Sequence, residues 1–266
     1  MNAISNNLRL FWQGTLLSYI ALFHWLRPGT YLASKIVMPL AQMFFFVFLG
    51  TFASGGGNSQ FYVVGNALQI AAVSGIYGVT MSIGGDRNNG TLPYLFGTPA
   101  NRLMMFFGRA FMHILDGALG VVIAFTWGTL LMGLDLSHTN LLALGLTILI
   151  TTLSTCGLGL MMGCLSLITV NVMFVNNFVY FCLLIFSGAN IDLNTVPGWV
   201  RATSACLPLT NGIAAARELV AGASFQAVAP LLVRELGIGV GYGLLGYLLF
   251  YWFEIEARRR GSLETV

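Results

Sequence analysis

The sequence predicts an all-α membrane protein: six transmembrane helices, an N-terminal amphipathic helix in the interface, and an external re-entrant hairpin before the last helix. Three observations predict it. Of 266 residues, 57% are hydrophobic and only 8% charged, where a soluble domain is about one-quarter charged. Several apolar runs approach the length of about 20 residues that crosses ~30 Å of hydrocarbon. Thirty-two glycines and twenty phenylalanines suit helices packed closely in lipid.

The first element, from Leu10 to Leu26, interleaves Phe11, Trp12, Tyr19, Phe23 and Trp25 with Gln13, Ser18 and His24. That mixture suits a helix lying in the interface, the depth tryptophan favours. Six spans come next, from Ser34 to Phe52, Phe61 to Gly84, Phe111 to Met132, Leu141 to Ile168, Asn171 to Ser187, and Arg234 to Phe253. The fourth and fifth are joined almost without a linker. Between Val196 and Leu232 the chain is moderately apolar but broken by Pro197, Pro208, Pro230, Gly212 and Gly222. It reads as helices dipping part-way into the membrane, which is possible only where protein covers the non-helical turn. All of this belongs to one transmembrane domain, residues 1–266. Its non-spanning parts are an interfacial and cytosolic segment (1–33), a cytosolic connection (85–109), an external region (190–232) and a cytosolic tail (254–266).

Orientation is set by the basic residues, because short loops rich in Lys and Arg stay in the cytosol. Arg9, Arg27, Lys35, Arg87, Arg102, Arg109, Arg258, Arg259 and Arg260 fall in the N-terminal segment, the second-to-third connection and the tail. Both termini are therefore expected inside the cell membrane. The chain lacks the charged-then-apolar opening and small-residue cleavage site of a signal peptide, so the spans themselves are expected to drive insertion.

The same residues narrow the chemistry. The net charge of +3 is spread along the chain and forms no basic face for nucleic acid. Cys156, Cys164, Cys182 and Cys206 show no metal-ligand or redox spacing and read as packing residues. No G-x-S-x-G or H-E-x-x-H suggests an intramembrane hydrolase. A phosphate-binding loop needs a Gly-Lys-Ser/Thr run, and the sole lysine, Lys35, stands between Ser34 and Ile36. No cofactor is expected on this chain.

The most informative stretch is Gly85-Asp-Arg-Asn-Asn-Gly-Thr-Leu-Pro-Tyr-Leu-Phe-Gly-Thr-Pro-Ala-Asn-Arg102. An acidic-Arg pair (Asp86, Arg87), then Gly90-Thr91-Leu92, then Leu95, then Thr98-Pro99 and Arg102 resembles the signature of type-2 ABC exporter permeases. Pro93 departs from it, standing where a charged or long polar residue is usual. Leu207-Pro208-Leu209-Thr210, then Arg217-Glu218-Leu219, then Gly222 keep the same family's order before its last span. The resemblance extends over nearly the whole chain. It implies a cytosolic coupling helix, which Gly90-Thr91 can begin with Thr as cap and Pro93 tolerated in the first turn. That helix would dock on an ABC ATPase subunit. It also implies a re-entrant hairpin around Pro208, Arg217, Glu218 and Gly222. Its implied partners are two nucleotide-binding domains carrying ATP and Mg, a second permease, identical or homologous, and membrane lipid.

Polar residues in the fifth span, Asn171, Asn176 and Asn177, with Tyr180 one turn on, face a substrate path, bond across a dimer interface or serve plain helix packing. The resemblance places the first and fifth spans at the dimer seam, which adds Phe44 and Phe48. Gly159 and Gly163, and Gly237, Gly239, Gly241, Gly243 and Gly246, give the small-residue spacing of tight helix contacts. His113 and Asp116, three apart on one helix face, fit either a proton relay or partner-shielded polar residues near the cytosolic end. Arg234 and Glu235 read as a solvated interfacial pair. The expected function is outward movement of an amphipathic or lipid-linked substrate (drug, antibiotic, lipid or glycan) by alternating access. The alternative is a proton- or sodium-coupled secondary transporter.

Overall fold

A computed structural model describes residues 3–25, 28–57, 59–88, 101–166 and 171–260, and among these every regular element is helical. In chain order they are α1 (Ala3–Trp25), α2 (Pro28–Ala53), α3 (Ser59–Ala72), a π-helical turn (Val73–Gly78), α4 (Val79–Asn88), α5 (Arg102–Leu131), α6 (Leu141–Ser166), α7 (Val172–Phe186), α8 (Gly198–Ala205), α9 (Thr210–Val220) and α10 (Phe225–Arg260). α3, the π turn and α4 form one continuous rod.

Among the described residues, five helical segments are long and apolar enough to cross a membrane: Gly29–Ala53, Ser59–Gly85, Phe107–Leu131, Leu141–Ser166 and Phe225–Glu256. The expected fifth span is instead the 15-residue α7, about 22 Å long at 1.5 Å per residue and short of the hydrocarbon thickness. The last helix begins at Phe225, nine residues before the expected start, and keeps Pro230 inside it. Proline in a helix costs one hydrogen bond and a clash with the carbonyl four residues back, and here the helix absorbs both. The junction at 167–170 lies outside the described residues.

Local chemistry sets the ends. Pro28 opens α2, where a missing N–H costs nothing. After Ala53 the chain turns through Gly55, at φ +68°, with Gly55 N–H on Phe52 O at 3.1 Å and Gly56 N–H on Thr51 O at 2.9 Å. This paired closure needs the left-handed backbone that glycine adopts freely. The Asn140 side chain accepts from the N–H groups of Leu142 and Ala143, both at 3.1 Å, and so starts α6.

The core lies where α3, the π turn, α5 and α6 meet, around Leu68, Ile76, Val121, Ile148 and Leu158. α6 touches its neighbours backbone to backbone. A Cβ at Gly159 would overlap the carbonyl of Gly75 in the π turn, and one at Gly157 would overlap that of Gly239 in α10. Gly163 sits on Ile83 and Gly246 on the Met161 backbone, while Gly237, Gly241 and Gly243 meet nothing within 4 Å. The glycine series of the last span is thus only partly used inside this chain. α2 is the outlying helix: 17% of its apolar stretch is buried, against 72% for the α3–α4 rod.

α1 does not lie apart. Gly108 in α5 leaves room only for the Phe11 carbonyl, Thr15 donates to Gly108 O at 3.0 Å, and Ser18 and Ser82 share a 2.9 Å hydrogen bond. The helix is docked along the first turns of α5 and the end of α4, with Trp12, Leu16 and Leu17 exposed on its other side.

Candidate functional site

The signature stretch connects α4 to α5. Asp86 and Arg87 are in the last turn of α4 and Arg102 begins α5, whereas Gly90, Thr91, Leu92, Leu95, Thr98 and Pro99 lie outside the described residues. Its flanks are fixed. Arg109 donates to Ser82 O at 2.7 Å, bridging the two helices that lead into and out of the connection.

Deeper in the bundle, Asp116 has partners that sequence reasoning did not name. Asp116 faces Lys35 of α2 in a direct ion pair, and accepts from the Tyr31 hydroxyl at 2.6 Å and the Ser74 hydroxyl at 2.7 Å. Lys35 also donates to Ser74 at 3.1 Å. Lys35 is therefore no surface charge contributing to the cytosolic count: it is folded into the interface of three spans. Asp116 is fourteen residues into α5, about 21 Å from Arg102, and nine residues into its apolar stretch, which begins at Phe107. An unpaired charge at that depth is costly, and each member supplies the other's counter-charge. His113, one turn before, is 3% exposed, and neither ring nitrogen has a hydrogen-bond partner. It packs against Gly78, whose missing side chain makes the space.

At the opposite end of the bundle the turn into α9 is held from below. Glu235 of α10 is fully buried. It accepts from the backbone N–H groups of Leu209 at 2.7 Å, Asn211 at 3.2 Å and Gly212 at 3.2 Å. The expected solvated pair with Arg234 is not formed, because α10 begins at Phe225 and carries Glu235 about 15 Å along its axis. There it meets the open N–H groups that every helix start presents. Leu209 takes an unusual φ of +79°, and Pro208 beside it is buried. α9 ends at Gly222 (φ +91°), with Gly222 N–H on Leu219 O at 3.0 Å and Ala223 N–H on Glu218 O at 2.9 Å. Glu218 itself is exposed.

Arg217 points inward. Its guanidinium donates to the carbonyls of Phe61 and Ala189, each at a closest 2.9 Å, and Gly188 at 2.9 Å, and lies 3.4 Å from the Phe61 ring centroid. One side chain thereby joins α9, the start of α3 and the turn after α7. Burial brings it down to about 9, which leaves it charged at neutral pH. Arg217→Lys keeps the charge but loses the planar fork, and should cost about 1–3 kcal/mol. Thermal unfolding of the purified protein in detergent would measure this.

The substrate-path residues divide. Asn171 caps α7, accepting from Phe174 N–H at 3.0 Å. Asn176 is fully buried with both amide atoms unpartnered. Asn177 accepts from the Tyr77 hydroxyl at 2.6 Å, and the Tyr77 and Tyr180 rings lie 5.8 Å apart. Phe44 stacks on the exposed Phe48 at 5.3 Å on α2. The two faces of α2 and α7 that reach out of the bundle carry Phe45, Phe48, Phe52, Phe174, Phe178 and Phe181. Lys35, Ser74, Tyr31 and Tyr77 were not singled out as partners by sequence reasoning. The one available signal was that a single lysine and a single aspartate each interrupted a long apolar run.

No group of three or more His, Cys, Asp or Glu that could hold a metal occurs among the described residues. The comparison with curated proteins and the comparison with solved structures give no match. The family model described as ABC-2 type transporter matches residues 13–220, which takes in the second half of α1, both flanks of the signature stretch, the ion pair and α9. The chain therefore belongs to the ABC-2 type transporter family, whose members are membrane permease components of ABC transporters.

Proposed function

We propose that this chain is the permease subunit of an ATP-driven exporter, working as a pair of permeases with two ABC ATPase subunits that carry ATP and Mg. The family membership carries this reading, supported by the position of the 85–102 stretch between two helical segments long and apolar enough to cross a membrane. The chain lies in the cell membrane with both termini cytosolic. α7 completes six crossings, and α8 and α9 form the external re-entrant hairpin. Glu235 supports the hairpin reading, since it meets the start of α9 well along the last helix from its outer end.

In the proposed cycle ATP binding closes the ATPase pair, the connection containing Gly90 and Leu92 is drawn inward, and the spans open outward. Cargo moves along the face of α2 and α7 that carries Phe44, Phe48, Asn177 and Tyr180, with Asn176 buried behind it. Aromatic rings with carboxamides and no charge fit an amphipathic or lipid-linked molecule.

Purification of the tagged chain from its host in mild detergent, with ATPase assay of the eluate, tests the reading. A stoichiometric ATP-hydrolysing partner is expected. Gly90→Glu or Leu92→Arg should lower transport per ATP by at least tenfold while the chain still inserts. A chain that purifies alone and moves solute on an imposed proton gradient would establish the secondary-transporter reading instead.

A further inference from the structure

The helices carrying Lys35 and Ser74 are both irregular at the level of the ion pair. In α2, Pro39 stands four residues after Lys35, so the Lys35 carbonyl has no helical N–H to accept. In the α3–α4 rod, the π turn Val73–Gly78 begins one residue before Ser74. π turns within α-helices mark inserted residues and occur often at functional positions. α5 runs unbroken from Arg102 to Leu131 and supplies Asp116. One carboxylate thus holds together two weak points on two helices.

We propose that Asp116, Lys35, Ser74 and Tyr31 are positioning residues for transport: they latch the first span to the register of the second, and the latch is rearranged when the connection at 85–102 moves. This rests on the permease reading above. Closing the π turn into α-helix changes the register by one residue, which rotates the remainder of the rod by about 100° and shifts it by ~1.5 Å. That remainder is α4, ending at Asn88 inside the signature stretch. A pull on the stretch and a rotation at Ser74 are therefore one motion, and Ser74 cannot rotate without changing its bonds to Asp116 and Lys35.

Two further observations fit a segment with a second arrangement. Gly75 and Gly78 present no side chain to α6 and α5, where Thr155, Gly159 and His113 press directly on the turn. His113 leaves both ring nitrogens unpartnered in this conformation, a cost seldom left standing in a buried side chain. α2, little buried otherwise, is the helix with most freedom to move with it.

The test is the double variant Lys35→Met/Asp116→Leu in the complete complex, since replacing both members of a buried ion pair by apolar residues is often tolerated. It should assemble, melt near the wild type and hydrolyse ATP, with transport per ATP reduced at least tenfold; the exchanged pair Lys35→Asp/Asp116→Lys should recover much of it. Spin labels at the exposed Val37 and Leu119 should report a nucleotide-dependent change of distance in the wild type that the double variant lacks. Unchanged transport per ATP, or the same distance change in both, overturns the latch. If the double variant does not assemble, Tyr31→Phe and Ser74→Ala keep both charges and should each lower transport per ATP about threefold or more in complexes that still assemble and hydrolyse ATP, with at most a modest drop in melting temperature; unchanged transport per ATP in both overturns it equally. Absence of any ATPase from the wild-type complex would remove the permease reading itself, and the latch with it, a result distinct from an active complex that ignores these substitutions.

Discussion

Glu235→Leu is expected to destabilise the protein by about 3 kcal/mol or more, because it leaves three backbone N–H groups, two of them buried and one part-buried, without their acceptor. The donors belong to Leu209, Asn211 and Gly212, which cannot find other acceptors without unwinding the start of α9. Gly212 is pressed against Thr151 of α6, so that start has no room to shift. Glu235→Gln should cost less, since one amide oxygen still accepts while the NH₂ faces a donor. Thermal unfolding in detergent, with limited proteolysis across 206–224, reads both variants. Equal stability of Glu235→Leu and wild type would mean that the cap does not hold the hairpin.

The second large effect is expected at Gly159. A valine there would drive its Cβ into the Gly75 carbonyl, and both atoms sit on helix backbones that cannot swing aside like a flexible side chain. Overpacking a filled core typically costs about 1–3 kcal/mol. Here it also separates α6 from the π turn, and the upper end or beyond is expected, seen as loss of monodisperse protein after extraction. Gly145→Ala on the same helix is the control. No atom lies within 4 Å of the added methyl, and alanine improves helix propensity by up to ~1 kcal/mol. A Gly159 variant as well behaved as the Gly145 one would show that the close approach is not required.

How far the sequence carried depends on the range of each interaction. Apolar run length is local, and it placed four of the five long helices to within a few residues at most boundaries. Depth was harder. Pro230 reads as a breaker, which put the start of the last helix at Arg234 and made Glu235 look like an interfacial acid. The ion pair was out of reach because Lys35 and Asp116 are 81 positions apart in sequence, and helix-face spacing finds only partners three or four residues away. Nothing in Val73–Gly78 announces a π turn. Small residues at 75 and 78 fit tight packing equally well, and the extra residue shows only in the backbone. Arg217 stood in the right motif with its role unreadable, since its partners are three main-chain carbonyls from two distant segments.

The cap on α9 also dictates an order of biogenesis. Ribosomes deliver Leu209, Asn211 and Gly212 to the membrane before Glu235 exists, so a nascent chain must hold the hairpin with its donors open until the last helix enters. Only a chain translated past residue 235 and inserted in the correct sense can satisfy them. The final helix thereby completes the hairpin: a chain that stops short of residue 235 leaves three peptide donors without this acceptor.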